Sequence, residues 1–240
     1  MIMQSSHNLR DAIPFRNQGL TETEILQLEK LGFSYKCYPN NTTIKASQDD
    51  LFIVVHLGWG CLYNNIPEGE RQILDFPLNG DLFLLSHTEN GMDETLVALT
   101  ELMVWQAPVR SVMARAINIP RLLSLLISAS IRHKSILIQH LNSVGRRKAL
   151  ARVAHLLLEL GKRLEMVGAA SKEGFRCPLT QYDLADALGL TAIHVNRMLR
   201  ELREREFIDF RQKTVRFLDK AGLERLAGFE PDYLRIDRLK

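Results

Sequence analysis

His194, Asn196, Arg197 and Arg200 lie close together in the stretch AIHVNRMLREL, residues 192–202, where Val195, Met198, Leu199 and Leu202 recur at the i, i+3, i+4, i+7 spacing of a buried helical stripe. The stripe turns Asn196, Arg197 and Arg200 outward, together with Ile193. Guanidinium and carboxamide groups on one exposed helix face suit bidentate hydrogen bonds to base edges in a DNA major groove, and Arg197 is the residue assigned to that contact. On these residues alone a helical hairpin with merely solvated arginines stays open. Catalytic chemistry has less to stand on. The histidines form no H-x-H pair with a following carboxylate and no H-E-x-x-H, and neither G-x-S-x-G nor a glycine-rich phosphate loop occurs, so no enzyme activity is expected.

The elements that must position this face can be read on either side of it. Thr180 caps a first helix, with Asp183 three residues on and Leu184, Ala185 and Leu188 on one side. Gly189 ends it, taking the positive φ that a tight turn needs, and Thr191 caps the second helix. Two β-rich runs follow, Phe207 to Phe210 and Thr214 to Leu218, around a polar turn at Arg211, Gln212 and Lys213. This is a wing whose Arg211 and Lys213, with Arg216 nearby, suit contact with phosphates beside the groove. The predicted DNA-binding residues are thus Thr180, Thr191, Ala192, Ile193, His194, Asn196, Arg197, Arg200, Arg211 and Lys213. A winged helix that binds protein is the alternative.

Charge supports the placement. Residues 1–145 hold 11 Lys+Arg against 14 Asp+Glu and residues 146–240 hold 20 against 14, so the halves carry −3 and +6. A basic half that contains the helix pair is the footprint of a nucleic-acid-binding domain. Cys37, Cys61 and Cys177 are far apart with no C-x-x-C pair, which suggests neither a disulfide framework nor a metal centre. No apolar run is long enough to span a bilayer and the first residues lack the apolar core of a signal peptide, so a cytoplasmic protein without membrane contact is expected.

Upstream, Ile25, Leu28 and Leu31 mark a short amphipathic helix before Gly32, in a first segment that reads as helical in parts. From Phe33 to about Val112 the runs FSYKCY, LFIVVHLGWGCLY, RQILDF, ETLVAL and MVWQAP, with turns at PNN, IPEGE, PLNGD and TENG, describe an antiparallel β-domain of sandwich or barrel type. One long helix spans Pro120 to about Val144. Its apolar surface is too broad for one partner, and Leu122, Leu126, Ala129, Ile136, Leu137, Leu141 and Val144 are assigned to a homodimer interface, the alternative being a helix buried in a larger single core. Gly145 and the basic residues after it mark the boundary between domains 1–145 and 146–240. An amphipathic helix near Ala149 to Leu164, the loop VGAASKEG and a final short helix with a Pro-containing turn complete an α+β fold.

An N-terminal β-roll, a long dimerising helix and a C-terminal winged helix-turn-helix, in this order, resemble the Crp/Fnr superfamily of bacterial transcription regulators over nearly the whole chain. LTQYDLADALGLTAIHVNRMLREL, QILDFPLNGDLF and GRRKALARVAHLLLEL carry the resemblance. It implies a homodimer on a palindromic operator, RNA polymerase as a partner if the protein activates, and a small-molecule effector that the sequence does not identify. Thr191 and Arg197 fall where members contact phosphate and bases. The two positions after Thr191, an arginine and a glutamate in several members, are Ala192 and Ile193, which offer apolar contact such as that with a thymine methyl. Members that bind cyclic nucleotides use a Gly-Glu-Leu segment and an Arg-Ser pair, where this chain has Leu84, Leu85 and Ser86, then Thr95 and Leu96. Between Arg71 and Arg110 there is no lysine or arginine at all, so cyclic nucleotides are not expected to bind unless Arg121 or Arg132 supplies the charge. The oxygen sensors' cysteine cluster is absent too. His56 or His87 as a haem ligand, and His133 with His140 as a metal pair across a dimer, are minor alternatives. No cofactor is expected.

Overall fold

The computed structural model describes residues 9, 21–46, 48–66, 71–87 and 94–235. The helical character expected within the first twenty residues, apart from Leu9, and most of the IPEGE and TENG turns lie outside these. In chain order the elements are α1 (Glu22–Glu29), β1 (Ser34–Tyr38), β2 (Thr43–Ile44), β3 (Leu51–Leu57), β4 (Gly60–Asn65), β5 (Arg71–Asp75), β6 (Leu82–Leu85), β7 (Thr95–Ala98), β8 (Leu102–Pro108), α2 (Val109–Ala116), α3 (Pro120–Arg146) and α4 (Ala149–Met166). Then follow β9 (Gly174–Arg176), α5 (Gln181–Leu188), α6 (Ala192–Glu204), β10 (Ile208–Arg211), β11 (Thr214–Phe217) and α7 (Lys220–Ala227). By contact, the described chain divides into two compact units, one holding the residues up to Gly60 and Pro77–His133, the other Cys61–Phe76 and Lys134–Arg235.

In the first unit an antiparallel sheet has the order β1-β8-β3-β6. β3 reads LFIVV, an unbroken apolar run, because Phe52, Ile53, Val54 and Val55 are all buried on its two faces. Phe52 and Val54 join Leu82, Trp105 and Ala107 in a core that is completed by Val112, Ala116 and Ile119 of the α2 region and Leu122, Leu125, Leu126 and Ala129 of α3. Leu122, Leu126 and Ala129 are therefore spent on the monomer's own core, and Ile136 is buried as well. Of the seven helix residues expected at a subunit interface, these four are covered within the single chain. The apolar side chains left outward on α3 are Ile127, Ile138 and Leu141, exposed by 45%, 47% and 70%, with Leu137 and Val144 half-buried. Two further differences are local. The helix runs through Gly145 and breaks at Arg147 and Lys148, and α2 begins directly after Pro108, where the sequence reading still had β-structure.

This unit also buries one ion pair. Arg132 donates to Asp81 at 2.9 Å, with both side chains under 9% exposed, while the other Asp81 oxygen accepts from the Leu78 amide at 2.7 Å. One of the two cations that sequence left for an anionic ligand is already neutralised, and the other, Arg121, lies 3.7 Å from Glu24.

In the second unit α4 supplies Val153, Leu157, Leu160 and Leu164 to the core. Its Gly161 is required by close approach, since a Cβ there would meet the Phe175 and Phe217 rings at 3.0–3.1 Å. β9, β11 and β10 form a three-stranded sheet in the order β10-β11-β9, so a strand not expected from sequence follows directly on the loop after α4. Arg163, 1% exposed, donates to both Asp75 oxygens at 2.7 and 3.2 Å and to the Phe76 carbonyl at 3.1 Å, and it approaches Glu159 at 3.5 Å. The Tyr233 hydroxyl donates to Glu159 at 2.6 Å. His155 sits beside this cluster against Phe229 and Tyr233, and burial first, with the nearby Arg147 and His140, pushes its pKa down to about 3.

Candidate nucleic-acid interface

The geometry of the reading face begins with its caps. Thr180 Oγ1 accepts from the Asp183 amide at 3.2 Å, and the Asp183 carboxylate accepts from the Thr180 amide at 2.8 Å and its hydroxyl at 2.7 Å, a reciprocal box that fixes the first turn of α5. Gly189 takes φ +60° and closes α5, with Val144 Cγ1 3.4 Å from where a Cβ would stand. Arg152 Nη1 donates to the Leu188 carbonyl at 2.6 Å, a cation on the last turn of α5, where free carbonyls gather. Thr191 then caps α6 by accepting from the His194 amide at 3.2 Å.

The buried stripe of α6 is the expected one, Val195, Met198, Leu199 and Leu202. Opposite it, Ile193, Asn196, Arg197 and Arg200 are exposed, while Ala192 and His194 are half-buried. Gln181, Tyr182, Ala192, Ile193, Asn196, Arg197 and Arg200 line one concavity along the α5–α6 face. Within it Asn196 Nδ2 donates to Gln181 Oε1 at 3.3 Å and Arg200 lies 3.6 Å from Glu204. Arg197 makes no ion pair among the described residues, which leaves its five donors for an incoming acceptor.

The wing is a two-residue hairpin. Arg211 pairs with Thr214, so the turn is Gln212 and Lys213, both in the left-handed region at φ 49° and 57°. That is the twist a tight hairpin prefers, held here without glycine. Arg211, Lys213 and Arg216 are exposed at or beside the tip, although Arg211 already has Asp209 at 3.1 Å. Thr180 and Thr191 are exposed too, with their hydroxyls engaged in the caps. The structure therefore brings Thr191, Ala192, Ile193, Asn196, Arg197 and Arg200 onto one element, and sets Arg211 and Lys213 apart on the hairpin.

Three features of this surface were not visible in sequence. Tyr182, 72% exposed, lines the concavity from α5, where it stands outside the apolar stripe. Arg71 on β5 pairs with Asp183 at 3.0 Å and Asp186 at 2.6 Å, and Gln72 donates to the Asp186 and Ala187 carbonyls at 3.0 and 3.1 Å. Two carboxylates on α5 that would repel a phosphate backbone are thereby countered. Arg176, opposite Thr214 on β9, adds a further exposed cation beside the wing.

Among the described residues no helix is long and apolar enough to cross a membrane, and no group of three or more His, Cys, Asp and Glu is arranged to hold a metal ion. His56 packs edge-on to Tyr35. Burial raises the Cys61 and Cys177 thiols to about 12, so both stay protonated, whereas Cys37 is exposed.

Residues 151–226 match the family described as the Crp-like helix-turn-helix domain. The nitrogen fixation regulation protein FixK of Bradyrhizobium diazoefficiens is 32% identical over 216 residues, 88% of this chain and 88% of that protein. The fumarate and nitrate reduction regulatory protein of Vibrio cholerae is 27% identical over 222 residues, 90% of this chain and 86% of that one. Among solved structures, FixK2 from Bradyrhizobium japonicum matches with a TM-score of 0.70 at 24% identity, over 82% of this chain and 98% of that chain.

Proposed function

The chain belongs to the Crp/Fnr family of DNA-binding transcriptional regulators, and from that premise we propose how it reads DNA. Arg197 makes the specifying contact, a bidentate hydrogen bond to guanine, with Asn196, Arg200 and His194 as further polar groups and Ala192 and Ile193 as apolar ones. Thr180, Thr191, Arg211 and Lys213 hold the phosphate backbone and set the register. The observation that carries this reading is Arg197 itself, exposed and free of any ion pair among the described residues, on a helix whose rotation is fixed by its buried stripe and its Thr191 cap.

The protein acts as a homodimer on a two-fold operator, with recognition helices about 34 Å apart, one turn of DNA. Of the helix residues first assigned to the interface, Leu137, Leu141 and Val144 remain, joined by Ile127 and Ile138. Residues 1–145 form the sensing part and 146–240 the DNA-binding part, with no catalytic step and a cytoplasmic setting. The effector is a small molecule other than a cyclic nucleotide, and RNA polymerase is the partner where the protein activates.

The test is a selection of bound sequences from random DNA followed by gel-shift titration. Arg197→Ala should lose about 1–3 kcal/mol of discrimination per half-site. Lys213→Ala should weaken binding to all sequences alike and lower the log-log salt slope by about 0.9 per wing. An Arg197→Ala protein that keeps its full operator preference would show that another residue reads the bases. Binding that does not fall with salt would favour a protein-binding winged helix.

A further inference from the structure

We propose that Ile193 is a specificity-determining residue that reads the 5-methyl group of a thymine beside the base contacted by Arg197. The proposal rests on the DNA-reading function above and adds a chemical identity for one operator position.

Ile193 is 85% exposed, more than any other large apolar side chain among the described residues, and Tyr182, 72% exposed, lines the same concavity. Folding has no use for it there. The core side of α6 is already filled by Val195, Met198, Leu199 and Leu202, so an isoleucine kept in water one turn before Arg197 calls for a partner that arrives later. That partner is set by what surrounds it. Arg197 and Arg200 lie along the same concavity, whose lining contains no carboxylate, so the surface favours a polyanion over a neutral or cationic partner. Within the major groove of DNA the only apolar group a base edge presents is the thymine methyl.

The side chain discriminates in two ways. It gains by covering the methyl, and it penalises the alternatives. An adenine or cytosine amino group, or the guanine O6, placed against Ile193 would lose water and find no hydrogen-bonding partner on that side chain. The residue beside it on the N-terminal side, Ala192, is apolar and gives such a base no hydrogen bond either.

The experiment uses the full chain and the half-site recovered by selection from random DNA. Each thymine of the half-site is replaced in turn by deoxyuridine, which removes only the methyl, and affinity is read by fluorescence anisotropy. One position should lose about fourfold per half-site, and about fifteenfold when both half-sites are changed. With Ile193→Ala, an exposed change that leaves the core untouched, the difference between thymine and deoxyuridine at that position should shrink toward one. With Ile193→Glu, preference there should move to a base that offers an amino donor. If wild-type protein binds every deoxyuridine duplex as tightly as its thymine parent, or if Ile193→Ala keeps the wild-type ratio, the proposal is overturned while DNA reading stands. If selection enriches no sequence at all, the DNA-reading function fails and this assignment fails with it.

Discussion

Asp75→Ala should damage the second unit more than the joint replacement of Asp75 by Leu and Arg163 by Met. Arg163 is 1% exposed and has its charge matched chiefly by the two Asp75 oxygens, at 2.7 and 3.2 Å. Removing one partner of a buried pair typically costs about 3–5 kcal/mol, because the other charge stays in the interior. Here the Phe76 carbonyl at 3.1 Å and Glu159 at 3.5 Å remain around the guanidinium, so the lower end, about 3 kcal/mol, is expected. Replacing both by apolar residues removes the stranded guanidinium; the buried Glu159 loses Arg163 but keeps the Tyr233 hydroxyl at 2.6 Å, so the double variant should regain most of the loss and lie about 1 kcal/mol below wild type. The assay is urea unfolding followed by helical ellipticity, with the fluorescence of Trp59 and Trp105, both in the first unit, as an internal comparison. At a slope of about 1.5 kcal/mol per molar, the midpoint should fall by about 2 M for Asp75→Ala and by about 0.7 M for the double variant. A single variant that loses less than about 0.5 M, or a double variant less stable than the single, would refute the assignment of this pair as a mutually dependent buried charge.

His155 titrates at about 3 when folded and near 6.5 when unfolded, so between those values only the unfolded chain takes up the proton. Stability is full above about pH 6.5 and falls as pH drops toward 3, by at most about 1.4 kcal/mol per unit; His155→Phe should flatten this slope in urea titrations at pH 6.5 and 4.5, and an unchanged slope would exclude His155 as its source. Leu141, 70% exposed, sits on the proposed subunit face, so Leu141→Glu should sediment as a monomer with weakened operator binding, and a wild-type protein that is itself monomeric at micromolar concentration would end that proposal. Cyclic nucleotides should give no binding heat at millimolar concentration, because Arg132 is buried against Asp81 and the segment between Arg71 and Arg110 brings no cation; a dissociation constant below about 10 μM would contradict this and point to Arg121.

What could be read from sequence was whatever depends on neighbours along the chain. The α6 stripe, the Thr180 and Thr191 caps and the left-handed Gly189 each follow from residues within a turn or two of one another, and all appear as expected. The partition of α3 did not follow. A period of 3.6 shows which residues share a face, but Leu122 and Leu141 differ only in what the fold places opposite them, a core in one case and solvent in the other. β9 escaped because a three-residue strand has too few positions to show alternation, and its identity comes from pairing with β11 nearly forty residues later. The Arg71 clamp on Asp183 and Asp186 bridges more than a hundred residues, with no local signal at either end. At the proposed reading face, sequence pointed to residues on α6 but passed over Tyr182, since a tyrosine outside an apolar stripe looks like ordinary surface.

The wing turn has a consequence for the kinetics of encounter. Gln212 and Lys213 both hold left-handed backbone without glycine, at a local cost that the pairing of β10, β11 and β9 must offset during folding. A glycine tip would leave the hairpin end free to wander in solution and to be ordered only on contact with a phosphate. With the tip already set, the proposed docking of Lys213 on a phosphate forfeits little backbone freedom, and what it sacrifices on binding is confined to the lysine stem. Early encounters can then be productive on first touch, which favours a regulator that samples many sites briefly before it stops at one.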